Sequence, residues 1–421
     1  MASKLNYISK NKDFIFYYLL LSPLFDAITG LLIGHNLIEA GFIGAPTQVW
    51  RLFALFYFLF NLNYKKKSSL KIIVYMFFIF FVEFFAFYLY TQDIKAFFFG
   101  LNYGFKPIFL FTIFAYTDQK INSGELKIYD IIQCFILSTT IYASVVIFSF
   151  VTHTGLPSYV NGGFGTKGYF PSNNALSMLL GIGSLFALWT KNKKTNKYNT
   201  LFLLINIVGC MLIGAKTSLI FSFIVLVVYF FRSSFKIKII SFITIIFLLS
   251  IFYVQIQTLF NGIFAVVLFH AEHSQSENKF IEFIASSRDL FIKDALSHFD
   301  ITKILITRFI WGAGVIVSFK NPFNLSYNYI YKNDYFNTLE SDPADTFFYY
   351  GLIGLIIYIL YFLTGIWKSI NLNNRKYLIP FIIAYFFSFF AGHVVFDGMA
   401  GLVLPILYLS LKWKTEENLE K

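Results

Sequence analysis

The chain alternates long apolar blocks with short polar breaks. Phe14–Ile33, Ile72–Tyr90, Ile128–Val151, Ile237–Val254 and Phe347–Trp367 are such blocks, each close to the ~20 residues that cross a hydrocarbon core. Lipid offers no partner for a backbone N–H or C=O, so runs of this kind are helices or strands of a closed barrel. Barrel strands alternate polar and apolar residues over about ten positions, and these runs do not alternate. The pattern predicts an all-α polytopic membrane protein, one integral membrane domain over residues 1–421 with about 12 transmembrane helices. The helices are expected near 14–34, 48–63, 70–91, 96–116, 128–151, 172–190, 198–214, 217–231, 237–258, 346–367, 377–394 and 398–411. The longest polar interval, 259–345, is an outward-facing loop between the ninth and tenth of these. Within it, Ser287–Ser297 and Thr302–Ile310 carry apolar residues at helical spacing, which predicts short helices lying over the outer mouth of the bundle. A second outer segment, His153–Pro171, is rich in glycine. No repeat of 20–50 residues is visible, which weakens the case for a transporter built from inverted repeats.

Composition agrees with this picture. Hydrophobic residues make up 57% of the chain and charged residues 13%, against about 25% charged in a soluble domain. The net charge of +12 could suggest a nucleic-acid partner, but its placement argues otherwise. With a cytoplasmic N-terminus, the inner breaks hold Lys4, Lys10, Lys12, Lys65, Lys66, Lys67, Lys71, Lys120, Lys127, Lys191, Lys193, Lys194 and Lys197. They also hold Arg232, Lys236, Lys238, Lys368, Arg375, Lys376, Lys412, Lys414 and Lys421, together 22 of the 34 basic residues. Only Arg51, Lys95, Lys106, Lys167 and Lys216 remain at short outer loops or outer helix ends; the rest lie in the long loop. Positive charge concentrated inside sets the orientation and places both termini in the cytoplasm. The first apolar stretch is too long for a signal-peptide core and reads as an uncleaved anchor. Cys134 and Cys210 both fall inside apolar runs, so neither a structural disulfide nor a four-ligand zinc site is expected.

No nucleotide-binding loop, zinc-protease motif or Gly-x-Ser-x-Gly elbow occurs in the chain. An enzyme working on the outer face would need an activated substrate, such as a glycan on a polyprenyl pyrophosphate. That chemistry calls for cations to hold the pyrophosphate and a group to accept the proton of the attacking hydroxyl. Lys216 lies in Gly214-Ala215-Lys216-Thr217-Ser218, where one apolar run turns into the next; snorkelling at a helix end explains it equally well. Arg288 opens an amphipathic stretch and has Asp289 beside it as a local partner, and Arg308 precedes Trp311-Gly312-Ala313-Gly314. Carboxylates gather in Glu340-Ser341-Asp342-Pro343-Ala344-Asp345. Asp345 there has the place of a helix cap, but three acids exceed what capping needs. His270, His273 and His298 lie in the long loop without metal-ligand spacing, so no metal or other cofactor is expected. His393 and Asp397 flank the last outer turn and are expected to pair. Asp26 and Glu83, inside apolar blocks, need a partner or water; they line a path or make an interhelical hydrogen bond. Tyr327, Tyr329, Tyr331 and Tyr335 suit either stacking on sugar rings or packing of the loop onto the bundle.

The order of several motifs resembles the Wzy-type O-antigen polymerase and ligase group. These are Gly-Ala-Lys-Thr-Ser at 214–218, Ser-Ser-Arg at 286–288, Trp-Gly-Ala-Gly at 311–314 and the acidic stretch followed by Phe347-Phe348-Tyr349-Tyr350-Gly351-Leu352-Ile353-Gly354. Gly168-Tyr169-Phe170-Pro171-Ser172-Asn173-Asn174 adds to the likeness, which covers much of the second half of the chain. The resemblance implies metal-independent, inverting glycosyl transfer at the outer face of a bacterial inner membrane. The donor and partner would be a polyprenyl-pyrophosphate-linked oligosaccharide, set in membrane lipid, with a chain-length regulator as a further candidate partner and no nucleic acid. It carries pyrophosphate binding over to Lys216 and Arg288; Arg308 is a further candidate cation from its place in the loop, and an acid among Glu340, Asp342 and Asp345 is the candidate to activate the acceptor. Two departures stand out. Lysine replaces the arginine common in the first motif, keeping charge but losing the bidentate fork. The acidic cluster also stands where ligases carry a His-Asn pair, which favours a polymerase of O-antigen, capsule or exopolysaccharide repeats over a ligase. A flippase remains the rival from another class.

Overall fold

The computed structural model describes residues 13–39, 42, 44–158, 165–190, 198–232, 257, 292, 306–315, 339–371 and 375–411. In chain order the helices are α1 (Phe14–Gly34), α2 (Pro46–Phe60), α3 (Lys67–Ala86), α4 (Ile94–Asn122), α5 (Ile128–Val151) and α6 (Asn173–Thr190). They continue with α7 (Asn199–Ile213), α8 (Lys216–Arg232), α9 (Ile306–Trp311), α10 (Asp342–Asn371), α11 (Leu378–Phe390) and α12 (Val403–Ser410). A π-helical turn, Phe87–Thr91, ends α3, and a 3₁₀ turn, Ala400–Leu402, leads into α12. No strand occurs among the described residues; Pro157 and Thr166 make an isolated bridge.

Local chemistry sets several ends. Asp13 caps α1 by accepting from Ile15 N at 3.0 Å, and Asp93 caps α4 by accepting from Lys95 N at 2.9 Å. Gly214 ends α7 at φ 70°, a left-handed conformation that glycine adopts without penalty.

Five helices are long and apolar enough to cross a membrane: Phe14–Gly34, Lys67–Leu89, Ile94–Asn122, Ile128–Val151 and Asp342–Ile370. Exposed Leu70, Val74, Phe77, Phe80 and Phe84 give α3 an apolar outer face suited to lipid. The chain is thus an all-helical, membrane-spanning protein among its described residues. Of the crossings expected, these five are supported by length and composition. Asn199–Ile213, Lys216–Phe231, Leu378–Phe390 and Ala400–Ser410 are apolar but only 10–17 residues long. The span expected at 237–258 lies, residue 257 apart, outside the described residues. So does most of the loop 259–345, though α9 overlaps the second half of its second amphipathic stretch, Thr302–Ile310.

The chain forms two compact units. The first comprises Met1–Trp50 and Asp130–Ser274, the second Arg51–Tyr129 and Gln275–Lys421.

In the first unit α6 is buried along nearly its whole length. Small residues let neighbours approach closely: a Cβ on Gly181 would overlap the Phe221 ring, and one on Gly183 would overlap Thr139. The segment after α5 is pinned to the end of α7 by Thr166 N donating to Leu212 O at 3.0 Å and Ser158 Oγ donating to Ile213 O at 2.5 Å. Buried Asp26 accepts from Thr47 Oγ1 at 2.8 Å and from the Tyr142 hydroxyl. Interhelical hydrogen bonds therefore account for this intramembrane acid.

In the second unit α10 is broken at Gly351, whose φ of 62° and ψ of −160° are not helical. The Trp311-Gly312-Ala313-Gly314 segment docks at the break, with Gly314 N donating to Tyr349 O at 3.0 Å. Gly312 and Gly351 meet backbone to backbone, and a Cβ on either would overlap the other strand of chain. Buried Glu83 of α3 accepts from Val315 N at 3.0 Å and, more weakly, from Tyr350 OH at 3.5 Å. Two motifs separated along the sequence thus become one packed junction, closed by the second intramembrane acid.

Candidate functional site

The start of α10, the turn between α11 and α12, and the middle of α4 meet within the second unit. Glu340 enters α10 with φ 53°, a left-handed turn rare outside glycine. Asp345 reaches back, accepting from Leu339 N at 2.9 Å and from Ser341 N at 3.3 Å, so it caps the helix as expected. Asp342 does something the capping argument does not cover. Its Oδ2 accepts from Val394 N at 2.7 Å and Val395 N at 2.8 Å, and its Oδ1 lies 3.0 Å from His393 Nδ1. Asp345 Oδ2 stands 3.7 Å from the same nitrogen. Both carboxylates are fully buried.

A carboxylate only accepts, so Nδ1 of His393 carries the hydrogen and, in the neutral ring, Nε2 keeps its lone pair. Nε2 lies 3.4 Å from Tyr103 OH. Burial works against the imidazolium, but the Asp342 hydrogen bond and the charges of Asp345, Asp342 and Glu340 outweigh it. The His393 pKa therefore stands above its ordinary value.

Tyr103 is itself held on both sides. Its ring stacks on Phe396 at 5.2 Å, Tyr349 meets it edge-on at 5.7 Å, and Lys106 Nζ sits 4.0 Å from its centroid. The Arg51 guanidinium lies against Gly398, where any Cβ would overlap it. Asp397 Oδ1 accepts from Met399 N at 2.7 Å and Ala400 N at 2.8 Å, closing the turn into α12.

The pairing expected between His393 and Asp397 thus gives way to one between His393 and Asp342. Asp397 sits in a turn whose own backbone N–H groups point at it, while Asp342 arrives from 51 residues away. Of the predicted acids, Glu340, Asp342 and Asp345 all belong to this cluster. Lys216 belongs to the first unit, at the start of α8, where Thr217 Oγ1 donates to Asn174 Oδ1 at 3.1 Å. Arg308 lies in α9 with its side chain outside the described residues, as are Arg288, His270, His273, His298 and the four loop tyrosines. Lys106, expected at an outer helix end, stands well inside α4 instead. Tyr103, Lys106 and Arg51 were not among the expected site residues. A lysine inside a membrane-spanning helix was the one signal that could have flagged them.

No protein-family model matches the chain, and no curated protein is significantly similar to it.

The cluster can hold and move a proton. His393 Nε2 is the basic atom, and Asp342 fixes the ring and balances the imidazolium that forms when it takes a proton. Asp342 accepts from two backbone N–H groups and from His393, and Asp345 from two backbone N–H groups, which suits them to orienting a base.

Proposed function

We propose that the protein joins oligosaccharide repeats carried on polyprenyl pyrophosphate, at the outer face of a bacterial inner membrane, with both termini in the cytoplasm. The observation that carries this is the His393–Asp342 pair. It supplies a positioned base in a membrane-spanning protein that has no nucleotide-binding motif. An acceptor sugar hydroxyl gives its proton to His393 Nε2 as its oxygen attacks the anomeric carbon of the donor. The bond from that carbon to the phosphate oxygen breaks, and its electron pair leaves with the polyprenyl pyrophosphate. Attack opposite the leaving group inverts the anomeric centre. Asp342 and Asp345 are positioning residues for His393, and Glu340 adds negative charge beside the forming imidazolium. Lys216 and Arg288 are the cations that the motif resemblance assigns to the pyrophosphate, with Arg308 as a further candidate.

The test is the surface-glycan pattern of a host deleted for the gene and complemented with wild type or His393→Gln. Loss of the ladder with a single repeat left on its acceptor, rescued by wild type but not by equally expressed His393→Gln, is the expected result. Polymer stranded on the polyprenyl carrier would point to a ligase. An unchanged ladder, or full rescue by His393→Gln, would overturn the proposal.

A further inference from the structure

Lys106 is hard to explain as a structural residue. It lies twelve residues after the start of α4, about 18 Å along the helix axis, beyond the stretch from which a lysine snorkels to an interface. Among the described residues no carboxylate reaches ion-pair distance of its ammonium and no acceptor hydrogen-bonds to it. Its close contact is the face of Tyr103, and the charges of Asp397, Arg51 and Asp342 act on it from further off. An ammonium inside a membrane-spanning helix is costly without a partner, and a cation–π contact offsets only a fraction of that cost. Arg51 approaches the same turn from α2, with its fork pressed on the Gly398 backbone and the side chain still partly exposed. That turn also carries His393. The Lys106 point charge thus stands one phenol ring away from the basic nitrogen, with the planar fork of Arg51 at the same turn and within electrostatic reach of Lys106; together they suit an anion with several oxygens and more than one charge.

We infer that Lys106, with Arg51 beside it, binds the diphosphate of the glycan donor, Tyr103 being the wall between this anion site and His393. The assignment rests on His393 acting as the base of a transfer from a diphosphate carrier. It places the leaving group and the base in one unit, through two cations that no motif marks. As the bond to the anomeric carbon breaks, the charge that develops on the departing phosphate oxygen is met by the Lys106 ammonium.

The experiment uses full-length protein in nanodiscs of phosphatidylcholine with pyrophosphate as the probe. Acylation of lysines by an amine-reactive ester is followed by mass spectrometry, with and without pyrophosphate. Protection of Lys106 by at least about fivefold, with Lys95 unchanged, is expected. Lys106→Gln and Arg51→Gln should each weaken pyrophosphate binding by about tenfold or more, the loss of one charge-assisted contact, while Lys95→Gln leaves it within twofold. Lys106 labelled equally with and without pyrophosphate would overturn the assignment, as would pyrophosphate binding unchanged in Lys106→Gln. Equal protection by phosphatidylglycerol in the disc, without pyrophosphate, would also overturn it, because the site would then take any lipid headgroup phosphate. The labelling arm uses wild-type protein, so it stands even if a variant fails to fold. The glycan ladder of His393→Gln separates the two ideas: a retained ladder sinks the base, whatever Lys106 binds.

Discussion

Replacing Asp342 by alanine removes a fully buried carboxylate that accepts from Val394 N, Val395 N and His393 Nδ1 at 2.7, 2.8 and 3.0 Å. Each such bond to a charged group contributes about 1.5–3 kcal/mol, and each buried N–H left without an acceptor costs about 1–3 kcal/mol. The three share one acceptor and do not add, so a loss of about 3–5 kcal/mol is expected, in the range for breaking a buried pair. Asparagine places its single oxygen where Oδ2 stood and keeps both valine N–H groups satisfied, so Asp342→Asn should cost only about 1–2 kcal/mol. The pH dependence has a definite sign. The His393 pKa is raised in the folded protein, so the stability its charged form contributes is fully present below the unfolded value of about 6.5. That contribution is lost as pH rises through the raised folded value. The gap between wild type and Asp342→Ala should therefore shrink with rising pH. Unfolding of the purified protein by SDS titration in mixed micelles, followed by tryptophan fluorescence, measures all three proteins at two pH values. Equal midpoints for Ala and Asn, or a gap indifferent to pH, would refute the role assigned to Asp342.

Further outcomes follow from the same contacts. In a transfer assay with lipid-linked repeats, the acid limb of kcat/KM should lie above the ordinary histidine value of about 6.5, because the base must be neutral. Asp342→Asn should move that limb to lower pH, and a limb that does not move would separate it from His393. His393→Gln should cut turnover by about 10²–10⁴-fold, the usual contribution of a general base, with protein level unchanged on an immunoblot. Gly351→Ala forces a Cβ into Ile310 O and Gly312 N at a φ of 62°; a cost of about 1–3 kcal/mol or more and faster proteolysis near 306–315 are expected. Glu83→Leu leaves Val315 N without its acceptor and should lower stability by about 1–3 kcal/mol, whereas Glu83→Gln, which keeps a carbonyl there, should stay close to wild type in the same SDS titration.

Much of the helical layout is written locally. Phe14–Gly34, Ile128–Val151 and the helix that follows the 340–345 acids are long apolar runs, and any such run must close its own backbone hydrogen bonds in lipid. Asp345 was readable as a cap because capping joins residues a few positions apart. Glu83 and Asp26 were readable as acids in need of partners, though not which partners. The Trp311–Gly314 turn and Gly351 showed only as glycine-bearing motifs. Their joint purpose appears when the two backbones touch.

Spacing misled where pairing runs over distance. His393 and Asp397 flank one turn and were expected to pair across it, but that turn folds its own amides onto Asp397. Lys106 was expected at an outer helix end; where it stands along α4 relative to Tyr103 and the turn beyond α11 depends on packing, which composition does not report.

The sequence by itself determined that the chain is helical and membrane-spanning, and where most of its helices run, since those follow from the free energy of single segments in lipid. Only the tertiary structure decided that Asp342 meets His393 and that Tyr103 and Lys106 stand beside them. Those contacts join α4, the start of α10 and a turn 51 residues further on. They depend on how the segments pack against each other, which no local pattern of residues encodes.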